Sequence, residues 1–166
     1  AKQLASFDRT NGGLIGEPLR MSAWITTLGA TDSVLMLGGE LRLFPLTART
    51  NLAAIDLRDY HVLDWAPTTD DIVRRMLRLG DAIYVAGAFT TASGAARRSL
   101  AAFDAATGAL LTWDPKASGG FPDPCIATDG TDIYVAGLGF SMLGGQPRGG
   151  IGEGQGHARD QASRGS

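Results

Sequence analysis

An internal repeat is the feature that most constrains how this chain folds. Three pentapeptides with the pattern Leu-Ala-x-apolar-Asp begin at Leu4, Leu52 and Leu100, which gives a constant offset of 48. The same offset relates three further pairs: Trp65 with Trp113, Pro67 with Pro115, and Arg49 with Arg97. The segment 83–87 recurs at 133–137 with an offset of 50, which indicates a small insertion in the last copy. Regular self-similarity of this length is typical of proteins built from stacked units.

Within one copy the apolar residues alternate with a period of two, which predicts short β-strands. In the copy that starts at Leu100, strands are expected at 100–104, 109–113, 126–128 and 133–137, with turns rich in Gly, Asp and Thr between them. Four strands in about 48 residues is the content of one β-propeller blade. A stacked β-solenoid is the main competitor, although its coils are usually shorter.

The predicted fold is therefore all-β, with about three four-stranded antiparallel blades over residues 1–151 and a partial propeller as the architecture. The copies start near residues 4, 52 and 100. Segment 70–77 could pass for a helix by its local pattern, but its alignment with the other copies predicts a strand. From residue 152 to 166 no aliphatic side chain is larger than Ala, which predicts a disordered or aberrant tail.

Composition and charge exclude several function classes. Hydrophobic residues make up 44% and charged residues 19%, which favours a folded chain, and the 23 Gly suit many tight turns. The formal net charge of −2 and scattered Arg residues argue against a nucleic-acid surface. No window reaches the ~20 apolar residues of a membrane span. The lone cysteine, Cys125, is expected to be a small buried hydrophobe rather than a nucleophile.

The repeat carries a family likeness. Segment 83–91, together with Gly94, Arg97 and the pentapeptide at 100–104, resembles the delta-60 repeat family of bacterial β-propellers. Segment 140–148 contains that family's Gly-Gly-Gln-x-Arg connection, and the Trp-Asp-Pro at 113–115 is also typical of it. The resemblance implies blades without catalytic residues. It also implies a secreted or surface-attached protein whose repeats act as scaffold or adhesion-type modules.

A second likeness concerns the tryptophans. Segment 102–113 is similar to the tryptophan-docking motif of quinoprotein propellers, but Trp113 follows Gly108 by five residues instead of four. The first copy has Glu17 where the Trp should fall, and the middle copy has Arg-Asp-Tyr at 58–60 in place of Ala-Thr-Gly. We therefore interpret these Trp residues as devices that lock one blade to its neighbour through a large buried apolar area.

Residue types that could carry chemistry are few and isolated. The pair Asp70 and Asp71 lies in a Thr-rich turn and is expected to be solvated. His61 has no Cys, Glu or His at ligand spacing, and His157 lies in the tail. The Gly pairs at 38–39, 119–120 and 144–145 lack a following Lys-Ser/Thr, so they are expected to be blade connections rather than phosphate loops.

Two polar residues recur with the repeat. An Asp ends each pentapeptide, at Asp8, Asp56 and Asp104, and an Arg precedes each copy, at Arg49, Arg97 and Arg148. A polar residue in every copy is expected to be structural, accepting turn N–H groups or pairing with that Arg; the alternative is a repeated binding surface. Catalysis would need one constellation at one place. The sequence accordingly predicts no catalytic, cofactor-binding or metal-binding residues.

The functional expectation is a non-enzymatic scaffold or binding module of a bacterial extracellular or surface protein, which contacts protein or glycan through its blade loops. A fragment of a quinoprotein-like oxidoreductase is the alternative, and a glycan-active enzyme with two convergent acids is a third reading. Three blades would leave open edges, because closed propellers have about 4–8. We therefore expect either a longer chain that supplies the remaining blades or a second copy of this one.

Overall fold

The computed structural model describes residues 2–21, 23–41, 50–119, 124–137 and 139–147. Strands joined by turns make up this part of the chain, and it contains no helix. The strands are β1 Lys2–Phe7, β2 Leu14–Met21, β3 Trp24–Ala30, β4 Val34–Glu40, β5 Leu52–Asp56, β6 Val73–Leu79, β7 Ala82–Gly87, β8 Thr91–Ala92, β9 Ala95–Ala96, β10 Leu100–Asp104, β11 Ser118–Gly119, β12 Cys125–Thr128, β13 Ile133–Ala136, β14 Phe140–Leu143 and β15 Gln146–Pro147.

All strand pairs are antiparallel, and in the described ranges they form small sheets of two or three strands. The larger sheets have the orders β3-β4-β5, β10-β7-β6 and β11-β14-β15, and the pairs are β1-β2, β8-β9 and β12-β13. The prediction of an all-β fold is confirmed. Most of the helix-like segment 70–77 belongs to β6, a strand, as the alignment of the copies predicted.

Two of the sheets have the same register at an offset of 48. Val34 lies opposite Asp56 in the β4–β5 pair, and Ala82 lies opposite Asp104 in the β7–β10 pair. The β3–β4 and β6–β7 pairs also match, including a bulge between Ile25 and Thr27 in one and between Val73 and Arg75 in the other. The β12–β13 pair matches β6–β7 at the offset of 50.

The prediction of a strand directly after the pentapeptide is wrong for the middle and last copies. Residues 109–113 contribute only an isolated bridge between Phe103 and Leu110, and the middle copy has only the bridge between Ile55 and Val62. In the first copy this position is a full strand, β2. Pro67 and Pro115 follow these two bridges, and proline lacks the N–H that would extend a ladder.

Apolar side chains between successive sheets form three core clusters. The N-terminal cluster contains Ala23, Leu37, Leu41, Ala53 and Ile55, with Leu4 of β1 packed against it. The central cluster joins β4 and β5 to β6, β7 and β10 and includes Met36, Met76, Trp65 and Phe103. The C-terminal cluster contains Ala86, Leu100, Phe140 and Leu143, against which Trp113, Ile126 and Val135 pack. The sheets β3-β4-β5 and β10-β7-β6 therefore bury both faces, because alternate residues of β5 and of β10 enter different clusters.

Two glycines allow a close approach between neighbouring strands. A Cβ on Gly39 would lie 2.1 Å from the carbonyl oxygen of Trp24, and a Cβ on Gly87 would lie 2.2 Å from that of Ile72. Gly38 and Gly39 lie within β4, so the expectation that this pair is a blade connection is wrong. Gly144 and Gly145 do form a turn, between β14 and β15, whereas Gly120 lies outside the described residues.

The prediction for Cys125 is also wrong, because its side chain is exposed. It opens β12, at the position that Arg75 occupies in β6, and Arg75 is exposed as well. Alternation along the strand thus directs this position to solvent. Arg49, Arg148, His157 and the tail 152–166 lie outside the described residues. The described ranges hold no helix that is long and apolar enough to cross a membrane.

Candidate functional site

The turns that follow β1, β5 and β10 share one backbone pattern. The amide of each repeated Asp donates to the carbonyl five residues on: Asp8 to Gly13 at 2.8 Å, Asp56 to His61 at 3.0 Å, and Asp104 to Ala109 at 2.8 Å. The carbonyl of each Asp also accepts from the amide four residues on, at Gly12, Tyr60 and Gly108. The sequence repeat therefore corresponds to a repeated turn at one end of the sheets.

The carboxylates of these Asp residues hold the turns. Asp104 accepts from the amides of Ala106 at 3.1 Å and Thr107 at 2.7 Å, and Asp8 accepts from the amide of Thr10 at 2.8 Å. The amide and hydroxyl of Thr107 lower the pKa of Asp104 from its usual value. These contacts are those of an Asx-turn, in which Asp takes the place of a backbone acceptor. The repeated Asp thus has the predicted structural role, because its carboxylate accepts hydrogen bonds from the N–H groups of its turn.

Tyr60 adopts a backbone conformation that disfavours its side chain. Its φ is +60°, whereas the equivalent residues of the other two turns are glycines, Gly12 at +71° and Gly108 at +74°. A left-handed conformation costs an ordinary residue about 1–2 kcal/mol, because Cβ approaches the following carbonyl. Tyr60 is 41% exposed, so burial of its ring offsets only part of this cost.

Replacing Tyr60 by glycine is therefore expected to stabilise the fold by about 0.5–1 kcal/mol, after the extra entropy of glycine in the unfolded chain is subtracted. Urea unfolding followed by circular dichroism measures this change. The matched control is Gly12→Ala, which introduces a Cβ at the equivalent open position and should destabilise by a similar amount. A destabilised Tyr60→Gly variant would contradict the assignment of strain to this residue.

The middle turn alone gathers several charged side chains. Asp56 is buried and accepts three hydrogen bonds from the Arg58 guanidinium, at 2.6, 3.0 and 3.3 Å. A carboxylate oxygen of Asp59 lies 2.5 Å from Nδ1 of His61. Ligand atoms of Asp56, Asp59 and His61 lie within 4.8 Å of one another. The Asp56 carboxylate is already neutralised by Arg58, whose hydrogen bonds lower the pKa of Asp56 to about 2. The arrangement thus closes the turn with an ion pair instead of presenting a vacant ligand set.

Sequence reasoning missed this cluster. No Cys, Glu or second His lies at ligand spacing from His61, and its neighbours are two aspartates of the same turn, two and five residues away. The spacing Asp-x-Arg-Asp-x-His is visible in residues 56–61. The spacing alone does not bring the side chains together; the turn closed by the hydrogen bond from Tyr60 N to Asp56 O does.

Asp70, predicted to be a solvated turn residue, bridges two loops. Its carboxylate accepts from the amides of Thr90 at 2.8 Å and Thr91 at 2.7 Å and from the Thr90 hydroxyl at 2.5 Å. Partial burial alone would raise the pKa of Asp70, but the Thr90 hydroxyl and the two amides together lower it to about 2. Asp71 instead accepts from the amide of Ile72 at 2.6 Å. The pair therefore has two separate local roles.

We expect the fold to lose stability as the pH falls from about 4 to about 2. The pKa of Asp56, Asp70 and Asp129 is about 2 in the folded chain against a usual value of 3.8. At Asp129 the Tyr134 hydroxyl and two backbone amides donate to the carboxylate and lower its pKa. The stabilisation is complete above pH 4 and disappears as these carboxylates become protonated. Urea midpoints at a series of pH values measure the loss. The Asp70→Asn variant should show a shallower dependence, and an equally steep one would contradict the role of Asp70.

The repeated Arg does not pair with the repeated Asp in the copy that can be described. Arg97 lies 3.4 Å from the carboxylate of Asp114, and both side chains are largely buried. Asp114 belongs to the Trp-Asp-Pro at 113–115, and the preceding copy has Ala66 at this position. Two structural roles were predicted for the repeated Asp. Asp104 has the first, acceptance from turn N–H groups, and not the second, pairing with Arg97, because its carboxylate is bound by its own turn.

Trp65 links the middle and last copies. Its indole Nε1 donates to the carbonyl of Asp104 at 3.0 Å, and its ring belongs to the central core cluster. Trp113, its counterpart in the next copy, is half-buried and meets Tyr84 edge to face with ring centroids 5.1 Å apart. The locking role predicted for these residues matches the contacts of Trp65.

A groove of about 430 Å³ lies beside Trp65, between the middle and last turns. Its lining residues are Val34, Ala54, Leu63, Asp64, Trp65 and 105–107. Val34 lies opposite Asp56 across the β4–β5 pair, so the groove and the charged middle turn occupy the same end of the sheet. Apolar walls with one carboxylate suit a small apolar group that carries a hydrogen-bond donor.

Comparisons with known proteins leave the family of this chain unassigned. A scan against family models gives no match, and a search of curated proteins gives no significant match. The likeness to the delta-60 repeat family accordingly remains a prediction from the quoted residues.

Proposed function

We propose that this chain is a non-enzymatic β-propeller scaffold, made of delta-60-like blades, which binds protein or glycan through its turns. The observation that carries the proposal is the common register of the sheets β3-β4-β5 and β10-β7-β6 at an offset of 48. Sheets that bury both faces against their neighbours are the packing expected of successive blades. A role in a bacterial extracellular or cell-surface protein is part of the proposal and rests on the family likeness.

The hydrogen bonds of the turn carboxylates argue against a general acid or base among them. Asp8, Asp56 and Asp104 are engaged by their own turns, and Asp70 is engaged by Thr90 and Thr91. A general acid or base needs a free lone pair or proton and a pKa near the working pH. The pKa values of Asp56 and Asp70 are about 2, so both carboxylates stay ionised far below neutral pH.

Duplicating residues 52–99 in tandem tests the blade organisation. Asn51 and Ser99, which precede equivalent strands, have matching φ values of +67° and +64°, so the new junction repeats an existing backbone conformation. We expect cooperative unfolding with a urea m-value about three-tenths larger, because m scales with the surface exposed on unfolding. The matched control duplicates residues 52–95 and breaks the period. Equal loss of cooperativity in both variants would contradict the proposed division of the chain into blades.

Binding is tested on the intact chain with a carbohydrate array and with immobilised protein ligands. Saturable binding that is lost on substitution of Asp64 to Lys, at the groove, supports the binding role.

The alternative function, a fragment of a quinoprotein-like oxidoreductase, is favoured by the Trp113 motif. A quinone absorbance band in the purified protein would support that alternative and contradict the scaffold.

A further inference from the structure

The groove beside Trp65 has the size and the apolar walls of a ligand site. Its volume of about 430 Å³ lies within the range of about 300–1,000 Å³ that is usual for such sites. Among its lining residues, Val34 and Leu63 pack against the central core cluster. Asp64 and residues 106–107 are exposed at its rim. A ligand can therefore place apolar atoms inside the groove while its polar end stays in contact with water.

The hydrogen-bond donors on the last turn are already used within the protein. The amide of Ala105 donates to the carbonyl of Asp81 at 2.8 Å. The amides of Ala106 and Thr107 donate to the Asp104 carboxylate at 3.1 and 2.7 Å, and the Thr107 hydroxyl donates to the same carboxylate at 2.8 Å. Residues 105–107 therefore have no N–H or O–H group left to donate to an acceptor atom of a ligand.

The opposite side of the groove adds two engaged donors and one free acceptor. The amide of Leu63 donates to the carbonyl of Ala54 at 2.8 Å, and the Trp65 indole donates to the carbonyl of Asp104 at 3.0 Å. The Asp64 carboxylate is exposed and makes no hydrogen bond or ion pair within the described part of the chain. The polar group that suits this groove is therefore a donor that carries no acceptor.

The charges around the groove favour a cation. Asp32 and Asp81 lie in the turns β3–β4 and β6–β7, at the same end of the sheets as the groove. Like that of Asp64, their carboxylates have no partner within the described ranges. Of the cations at this end, Arg58 is bound to a carboxylate of the middle turn, and Arg78 lies on β6, two strands away from β10. The unpaired negative charges thus complement a positively charged ligand.

Lysine is the side chain that combines these properties. Its ammonium has three donors and no acceptor, and its four-carbon stem covers apolar surface while the charge stays in water. Arginine also lacks an acceptor, but its planar guanidinium is best satisfied by several acceptors or by an exposed aromatic face, and Trp65 is only 5% exposed. A sugar carries acceptor oxygens beside its donors, and the engaged donors of this groove leave those oxygens unpaired.

We propose that the groove beside Trp65 binds a lysine side chain of a partner protein, whose ammonium contacts the Asp64 carboxylate. The methylene stem lies against Val34, Leu63 and Ala105. The volume of the groove exceeds that of one lysine side chain, which leaves space for main-chain atoms on either side of it. This assignment rests on the binding role proposed above and narrows the partner from protein or glycan to protein.

Binding is measured by two-dimensional N–H correlation spectra of the isotope-labelled full chain, with Nα-acetyl-lysine methylamide as the probe. We expect saturable shifts of the amide signals of residues 105–107 and of the Trp65 indole signal, with a dissociation constant in the millimolar range because the probe is small. The matched probe is the norleucine derivative, which has the four-carbon stem without the ammonium and should not saturate. Equal binding of both probes, tighter binding of the arginine derivative, or shifts confined to residues outside the groove overturns the lysine assignment.

Substitution of Asp64 tests the carboxylate. Asp64→Asn keeps the shape of the side chain and removes its charge, so the affinity for the lysine probe should fall about fivefold. The matched control is Asp132→Asn, whose carboxylate also lacks a partner within the described ranges. It lies in the β12–β13 turn, and these strands pack in the C-terminal core cluster, so the affinity should change by less than about twofold. Equal affinities of the two variants, with both spectra showing a folded chain, would contradict the role of Asp64.

The source of the amine is tested with a blocked Gly-Gly-Lys-Gly-Gly peptide and with butylammonium ion. The peptide should bind more tightly, because its main chain fills the space beside the lysine. Butylammonium that binds as tightly as the peptide would assign the groove to a free amine and overturn the protein partner.

Failure of the lysine assignment is distinguishable from failure of the proposed function. If the chain binds immobilised proteins or glycans but no lysine probe shifts the groove signals, the binding role stands and the lysine assignment is wrong. Absence of binding in every assay overturns both.

Discussion

Replacing Trp65 by alanine is expected to lower the free energy of unfolding by about 3–5 kcal/mol. The side chain is 5% exposed and lies in the central core cluster that joins the sheets β3-β4-β5 and β10-β7-β6. Truncation removes the ring from this cluster and leaves the carbonyl of Asp104 without its indole donor. Urea unfolding monitored by far-UV circular dichroism measures the loss.

The Trp65→Phe variant separates the two contributions. Phenylalanine keeps most of the apolar contact but lacks the N–H. We expect a loss of about 1 kcal/mol, because the Asp104 carbonyl then keeps only its hydrogen bond from the Gly108 amide. Trp113→Ala, at the equivalent half-buried position, should cost less than Trp65→Ala. Equal losses for Trp65→Ala and Trp65→Phe would contradict the packing role of the ring.

The second large effect is expected for Gly87→Ala, with a loss of about 3 kcal/mol. The new Cβ would lie 2.2 Å from the carbonyl oxygen of Ile72 and 3.0 Å from Cα of Val73, and both atoms belong to the backbone at the start of β6. Because a backbone atom cannot move aside as a flexible side chain can, the β6–β7 pair must separate at this point. Thermal and urea unfolding of the purified variant report this change.

Gly80→Ala is the matched control for this substitution. Gly80 lies in the β6–β7 turn at φ +59°, where a Cβ would meet no atom within 4 Å. Its replacement carries only the cost of a left-handed backbone, about 1 kcal/mol. A Gly87→Ala variant as stable as Gly80→Ala would show that β6 and β7 are farther apart at this position than the structure has them.

Most strands could be predicted from the sequence, and the reason is periodicity. Alternating apolar residues and Gly- or Asp-containing turns specify a hairpin locally, so β6–β7 and β12–β13 follow from the chain alone. The residues after each pentapeptide were predicted less well. Residues 109–113 touch the sheet only at Leu110. The Trp65 indole, which comes from the preceding copy, binds the Asp104 carbonyl beside this segment, and that contact cannot be read from the local pattern.

The candidate site could be predicted only in part. The structural role of Asp8, Asp56 and Asp104 follows from a polar residue that recurs at a turn, and the hydrogen bonds of those turns are local. The partner of Arg97 could not be predicted, because Asp114 lies well beyond the pentapeptide and the two meet only after the last copy folds. The clustering of Asp56, Asp59 and His61 likewise required the turn geometry.

The sequence by itself determined the all-β class, the repeat period and the turns, because these depend on contacts between residues close along the chain. Only the tertiary structure decided which copies bury their equivalent side chains. Phe7 and Phe103 occupy the same position of the same pentapeptide, yet one is exposed and the other is fully buried. The physical reason is that burial depends on a neighbouring sheet, which β10 has on this face and β1 lacks within the described chain.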